Sequence, residues 1–189
     1  MKEDLIHYIK SIININDNEL SSIVSCFKPL KLSKNELLLN RGQTSQRTFF
    51  VGKGCLRIFF INEEGHDATR YFAFEKQFAT ALVSFITSEP SEEFIQAVEP
   101  TEVLYITHQD FHTLLNTIPQ WEKFYRKYLE KAYVTNTNRL MSFLTQDATK
   151  KYRLLLDENP IMVRRLPNKL VASYLNISQE TLSRLKSKI

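Results

Sequence analysis

Cysteine and glycine are scarce in this 189-residue chain: two cysteines, Cys26 and Cys55, and four glycines. Two distant cysteines make neither a disulfide framework nor a cysteine-rich metal site, so an apolar core must hold the fold. The beginning, MKEDLIHYIKSI, carries acidic residues early and no long apolar region, unlike a secretory signal. The cytoplasm is therefore the expected location, and both thiols are expected to be buried and free. No run approaches the roughly 20 apolar residues of a membrane span, so no membrane partner is expected. Histidine is also thin, with His7, His66, His108 and His112. Only His108 and His112 share a helical spacing, and neither has a Cys or carboxylate partner, so no metal is expected. No Ser-His-Asp set, P-loop or dinucleotide motif occurs. The chain is expected not to be an enzyme, and no cofactor is expected.

What is present is a core-forming composition, 43% hydrophobic and 12% aromatic. Asp4 to Ile13 and Asp17 to Phe27 read as short helices, with Asp17 as the cap of the second. From Leu30 to about Ile106 the texture is of strands: LKLS, ELLLNRG, TFFVGKGCLRIFFIN, DATRYFAF, EFIQAVE and EVLYIT. These segments are short and rich in Phe, Val, Ile, Leu and Tyr. All four glycines fall among them at turn or bend signals, and closely spaced strands indicate a jelly-roll barrel or sandwich. Beyond Gln109 the pattern is helical. Phe111, Leu114 and Leu115 imply a helix that ends before Pro119. Gln120 to about Gln146 has no Pro or Gly, and implies a helix of about 40 Å. Trp121, Phe124, Tyr128, Ala132, Thr135 and Arg139 recur along it at near-heptad spacing. Packing on the barrel is one reading; its length favours a dimerisation helix pairing with a twofold mate. A further helix, Thr149 to Glu158, leads through Asn159-Pro160 into the last segment. The expected division is 1–118, 119–146 and 147–189.

That last segment is basic. From Lys150 to Ile189 there are nine Lys/Arg against three Asp/Glu, whereas the first 149 residues are slightly acidic. A basic end on an acidic body is the electrostatic footprint of a nucleic-acid-binding appendage. It coincides with NKLVASYLNISQETLSRLK, which has the pattern of a helix-turn-helix. Val171 and Leu175 share one helix face, as do Leu182 and Leu185. Ala172 is small where the helices must cross. Asn176 stands at the turn, where a left-handed backbone is needed. Ser178 is placed to cap the second helix and Glu180 lies in its first turn.

Barrel, long helix and terminal helix-turn-helix, in that order, resemble the Crp/Fnr family of bacterial transcription regulators. The resemblance covers nearly the whole chain. It rests on VGKGCLRIFF with the later EEG turn, on QAVEPTEVLYI, and most on PNKLVASYLNISQETLSRLKSKI. Ala172, Leu175, Ile177, Glu180, Ser183 and Arg184 stand where the family has them; Asn176 replaces the usual Gly, and Gln179 a frequent Pro. The resemblance implies an α+β chain: an N-terminal jelly-roll barrel like that of cyclic-nucleotide-binding proteins, a dimerisation helix and a C-terminal winged-type helix-turn-helix. It implies a homodimer reading an inverted repeat in double-stranded DNA, with half-sites roughly 34–36 Å apart. RNA polymerase is a further candidate partner. Gln179, Glu180, Ser183 and Arg184 are expected at base edges, with Arg184 suited to guanine and Glu180 to cytosine. Ser178, Thr181, Lys169, Lys186 and Lys188 are expected at phosphates.

Members of the family that bind cyclic AMP use a Gly-Glu pair for the ribose and an Arg followed by Ser or Thr for the phosphate. The matching stretch, FEKQFATALVSFITSEPSEEFIQAVE, has no Gly and no Arg. Ser91 or a neighbour stands where the arginine would be, among Glu89, Glu92 and Glu93. A phosphate placed there would be strongly disfavoured. No cyclic-nucleotide binding in the usual mode is expected, and the effector is unknown. Tyr71, Phe72, Phe74, Phe78, Thr80 and Ser84 are candidates to line a more apolar pocket, or are simply core. An iron–sulfur sensor would need four ligands, which two cysteines do not supply. The rival readings are a sensor module that does not bind DNA and, remotely, a cupin-like metal enzyme, for which the strand region has only His66.

Overall fold

The computed structural model describes residues 1–188. Two helices open the chain, α1 (Lys2–Ile12) and α2 (Asp17–Ser25). Asn16, not Asp17, caps α2: its side chain accepts from Glu19 N at 2.9 Å and donates to Glu19 Oε2 at 2.8 Å. This reciprocal pair satisfies an orphan amide of the first turn, and Asp17 is left to favour the positive end of the helix.

Eight strands follow: β1 (Lys28–Leu32), β2 (Leu37–Leu39), β3 (Arg47–Lys53), β4 (Leu56–Ile61), β5 (Asp67–Ala73), β6 (Phe78–Ala79), β7 (Phe94–Ala97) and β8 (Thr101–Thr107). They form two four-stranded sheets, ordered β1-β8-β3-β6 and β2-β7-β4-β5. A short helix, α3 (Leu82–Thr87), which the sequence pattern does not announce, lies between β6 and β7.

Strand β3 explains why TFFVG is almost uniformly apolar. Side chains alternate between faces along a strand. Phe49 and Val51 pack with Leu56, Ile58, Ile95, Ala97 and Val103 inside the barrel. Phe50, between them, joins Leu104 and Ile106 in a second core with the helices. With both faces covered, no polar alternation survives.

The long segment TFFVGKGCLRIFFIN is two strands because the backbone turns at Gly54, whose φ is +95°. A Cβ there would lie 2.5 Å from Thr101 Oγ1 and 2.8 Å from the Pro100 carbonyl oxygen. Both the left-handed backbone and the close approach exclude a side chain. Gly54→Ala should cost about 2–3 kcal/mol of stability, read as a lowered urea midpoint at unchanged slope.

Helix α4 (His108–Thr117) is capped by Thr107, which accepts from Asp110 N at 3.1 Å. Helix α5 (Pro119–Thr145) runs for 27 residues. Pro119 opens it, where a missing N–H costs nothing. Helices α6 (Ala148–Glu158), α7 (Pro160–Arg165), α8 (Asn168–Leu175) and α9 (Gln179–Lys188) complete the described chain. Pro160 opens a short helix of its own between α6 and α8. No strand occurs after Thr107 among the described residues, so the wing expected beside the helix-turn-helix has no strands there. No described helix is long and apolar enough to cross a membrane.

The chain divides into two compact units, Met1–Phe60 with Tyr71–Leu129, and Ile61–Arg70 with Glu130–Ile189. The first contains the barrel and the second contains the terminal helices. The long helix is shared: its first eleven residues belong to the first unit.

Candidate nucleic-acid interface

Helix α8 ends in a tight reversal. Asn176 takes φ 52° and ψ 50°, the left-handed conformation. Ile177 N donates to Ala172 O at 3.1 Å and Asn176 N to Ser173 O at 3.3 Å. These two bonds satisfy carbonyls that the helix end would otherwise orphan, with Asn in the place glycine usually takes. Ser178 then caps α9, accepting from Thr181 N at 3.1 Å. Val171, Ala172 and Leu175 of α8 are buried, as are Leu182 and Leu185 of α9.

Burying those leucines turns the opposite face of α9 outward. Gln179, Glu180, Ser183 and Arg184 are all exposed on it, at three-to-four spacing. Arg184 makes only long contacts within its own helix, Nε to Glu180 O at 3.4 Å and Nη2 to Thr181 Oγ1 at 3.5 Å. The Glu180 carboxyl is held below its usual pKa by its own backbone N–H and by Ser178, so it remains an acceptor at neutral pH. Lys169, Ser178 and Lys188 are exposed and Thr181 half-buried. Lys186 differs: its Nζ donates to Asn168 Oδ1 at 2.6 Å, tying α9 back to the start of α8.

Sequence reasoning missed what holds α8 from behind. Ser173 Oγ donates to Asp67 O at 2.7 Å, accepts from Thr69 N at 3.0 Å and lies 2.8 Å from Thr69 Oγ1. Arg139 Nη2 donates to Thr69 O at 2.8 Å and Tyr174 O at 2.9 Å. Its guanidinium lies 3.8 Å from the Tyr174 ring centre and 5.0 Å from that of Phe143. The signal available in the sequence was a lone arginine in an otherwise apolar spacing.

Arg139 is thus corrected from a dimer-face residue to an internal fastener of the second unit. Trp121 and Phe124 are corrected as well. Trp121 is 0% exposed and stacks on Phe124 at 4.8 Å, edge-on to Phe111 at 5.3 Å, inside the first unit's core. Buried side chains offer no surface to a second chain. Tyr128 packs against the same core, Ala132 is half-buried, and Thr135 is exposed. Another stripe of α5 is open: Tyr133, Val134, Leu140, Met141 and Leu144, the first and last about three-quarters exposed.

In the barrel unit, two of the six pocket candidates border a small cavity. Phe78 and Thr80 line a space of about 20 Å³, with Trp121 and Tyr125 among its other walls. That is room for about one water molecule. Phe72 and Phe74 are plain core. Tyr71 reaches Gln77 Oε1 at 3.4 Å, and the Ser84 hydroxyl accepts from Ser45 N and donates to Glu89 O. Ser91, which with its neighbours stands in the stretch where a phosphate arginine would lie, is buried and accepts from Glu93 N at 3.0 Å. The barrel interior is filled by Phe49, Leu56, Ile58, Ala81 and Ile95, among others. His108 and His112 lie 4.2 Å apart, ring to ring, against Phe85. Burial and the neighbouring His108 lower the His112 pKa. Among the described residues, no three His, Cys, Asp or Glu converge on a metal-sized space.

Residues 29–118 match the family model of the Cyclic nucleotide-binding domain. Solved structures share the arrangement over most of the chain. The c-di-GMP-responsive global regulator CLP of Xanthomonas campestris aligns with a TM-score of 0.73 at 15% identity, covering 92% of this chain and 91% of its own. FixK2 of Bradyrhizobium japonicum aligns at 0.71 and 16%, covering 86% and 83%. A Crp/Fnr-family regulator of Eubacterium rectale aligns at 0.70 and 16%, covering 90% and 82%. No curated protein sequence matches. The chain shares the fold of these regulators, with the segment that matches the cyclic nucleotide-binding model first and helices after it.

Proposed function

We propose that this protein is a sequence-specific DNA-binding transcription regulator that acts as a homodimer on an inverted repeat. The observation that carries the proposal is the outward face of α9, where Gln179, Glu180, Ser183 and Arg184 are exposed on a helix set by the Asn176 reversal. Such a helix enters the major groove, where an arginine fork pairs with guanine and a carboxylate accepts from cytosine. The basic balance after Lys150 supports attraction to the duplex. The dimer surface is the exposed stripe of α5, Tyr133 to Leu144, at the three-and-four spacing of a coiled-coil seam.

Control by cyclic AMP is not part of the proposal. The stretch 74–99, where a phosphate-binding arginine would stand at Ser91 or a neighbour, has no Arg, and the buried Ser91 hydroxyl is already bonded to Glu93 N and to Glu93 O. The protein works outside a membrane, and no chemistry is assigned to it.

Selection of purified protein against random duplex DNA, without added ligand, tests the reading. An enriched inverted repeat is expected. Arg184→Ala should lose about 1–3 kcal/mol of discrimination at one base pair per half-site. Lys188→Gln should weaken all sequences alike and flatten the salt dependence by about one counterion. Lys186 is the wrong residue for that comparison, because its bond to Asn168 makes it structural. A folded protein that enriches no sequence at low salt would favour a sensor module that does not bind DNA.

A further inference from the structure

The second unit contains a cavity of about 230 Å³, bordered by α5, α6 and α8. Its walls are of mixed character. Phe143, Leu154, Leu155 and Leu175 are apolar, whereas Arg139 and Lys151 bring two cations against one carboxylate, Glu158. The volume is below the roughly 300 Å³ at which drug-sized pockets begin, so the occupant is small.

Arg139 is the unusual wall. Its Nη2 donates to the carbonyl oxygens of Thr69 and Tyr174, and the Tyr174 side chain lies against the guanidinium. No carboxylate pairs with it among the described residues. Burial lowers its pKa, Tyr174 opposes that shift, and a second guanidinium, Arg70, adds to it. A desolvated guanidinium flanked by another cation is electrostatically incomplete. Its planar fork fits one partner best, a carboxylate accepting two parallel N–H bonds. Lys151 is held nearby, its Nζ 4.8 Å from the Phe143 ring centre.

We propose that this cavity is a binding site for a small organic carboxylate, its head on Arg139 and Lys151 and its apolar body against Phe143, Leu154 and Leu155. The site lies outside the segment that matches the cyclic nucleotide-binding model and beside Tyr174 and Leu175, the last turn of α8. A bound carboxylate links α5 to α6 behind the helix-turn-helix. It biases DNA reading only as far as it prefers one pose of α8 over another.

The test uses the full chain without DNA, so its outcome is independent of whether the protein reads an operator. Benzoate, isovalerate, benzamide and inorganic phosphate are titrated to millimolar concentration at constant ionic strength, with amide chemical shifts and heat recorded together. Saturable binding of benzoate or isovalerate is expected, with shifts at Tyr174 and Leu175, and benzamide weaker by about tenfold or more. Lys151→Gln should weaken the carboxylates by about tenfold. Ser142→Trp, which fills the cavity, should abolish their binding. Arg139→Lys keeps the charge and loses the fork, so it should bind more weakly than the parent. Circular dichroism of each variant establishes that it is folded. No saturable response to either carboxylate overturns the proposal. So does benzamide binding equal to benzoate, or carboxylate binding that survives in folded Ser142→Trp. Phosphate binding as tight as benzoate overturns the carboxylate assignment in favour of an inorganic anion.

Discussion

Trp121→Ala should destabilise the first unit by about 3–5 kcal/mol, the largest effect expected of any single substitution here. The indole is the largest side chain in the core with no exposure at all. It meets Phe27, Phe111 and Phe124, so removing it leaves a space that several rings cannot close together. Its Nε1–H is buried without a partner among the described residues, which already costs something in the folded state. Trp121→Phe removes that orphaned donor along with part of the volume, and should cost no more than about 1.5 kcal/mol. Urea unfolding followed by far-ultraviolet circular dichroism reads both. The alanine variant should leave self-association of the remaining folded protein unchanged, because Trp121 has no surface to give a partner. A Trp121→Ala protein as stable as the parent, but monomeric, would return this residue to the dimer face.

Leu140→Asp with Leu144→Asp should have the opposite signature. Both side chains are exposed, so neither supports the chain's own core. Surface substitutions of this kind stay within about 0.5 kcal/mol for the isolated chain. On a twofold seam, however, two carboxylates meet two others in an apolar contact. Sedimentation should show the parent as a dimer and the double variant as a monomer. Operator affinity should then fall by about 10²-fold or more, since each half-site must be bound without the effective concentration that the dimer supplies. A double variant that remains dimeric would remove the α5 stripe from the interface. If it is monomeric but binds DNA as tightly as the parent, the inverted-repeat reading fails.

These two predictions separate residues that periodicity treats alike. Tyr128, Ala132, Thr135 and Arg139 step along α5 by four, three and four. Tyr133, Thr137, Leu140 and Leu144 do the same on another face. Spacing says that a helix has a face, and nothing in spacing says whose core that face meets. The first series includes Tyr128, packed on its own first-unit core, and Arg139, fastened within the second unit. The second series is left largely open. Both series are dictated by local geometry; only packing distinguishes them.

Local signals were legible in this chain wherever a residue's own conformation or its near neighbours set the outcome. Asn176 tolerates a left-handed backbone, Ser178 accepts from an amide three residues on, and Leu182 and Leu185 mark the buried side of α9, so the outward residues of that helix follow from sequence alone. The strand region was legible too, because turns and β-rich segments are local. Long-range placement was not. The split of the β3–β4 segment depends on how closely Thr101 approaches Gly54, from 47 residues away in the chain. Of the barrel candidates, Phe72 and Phe74 are buried in the core and Ser84 is tied to Ser45 and Glu89, because filling a core is decided by every side chain that reaches it. Arg139 could be seen as polar in an apolar spacing, but its partners at Thr69 and Tyr174 come from distant segments, and so does the cavity it borders. Sequence by itself determined the order of elements, the basic end and the outward face of α9. Tertiary structure alone decided which stripe of α5 stays open and where a cation is left without an acid, since burial and charge neutralisation belong to neighbours in space.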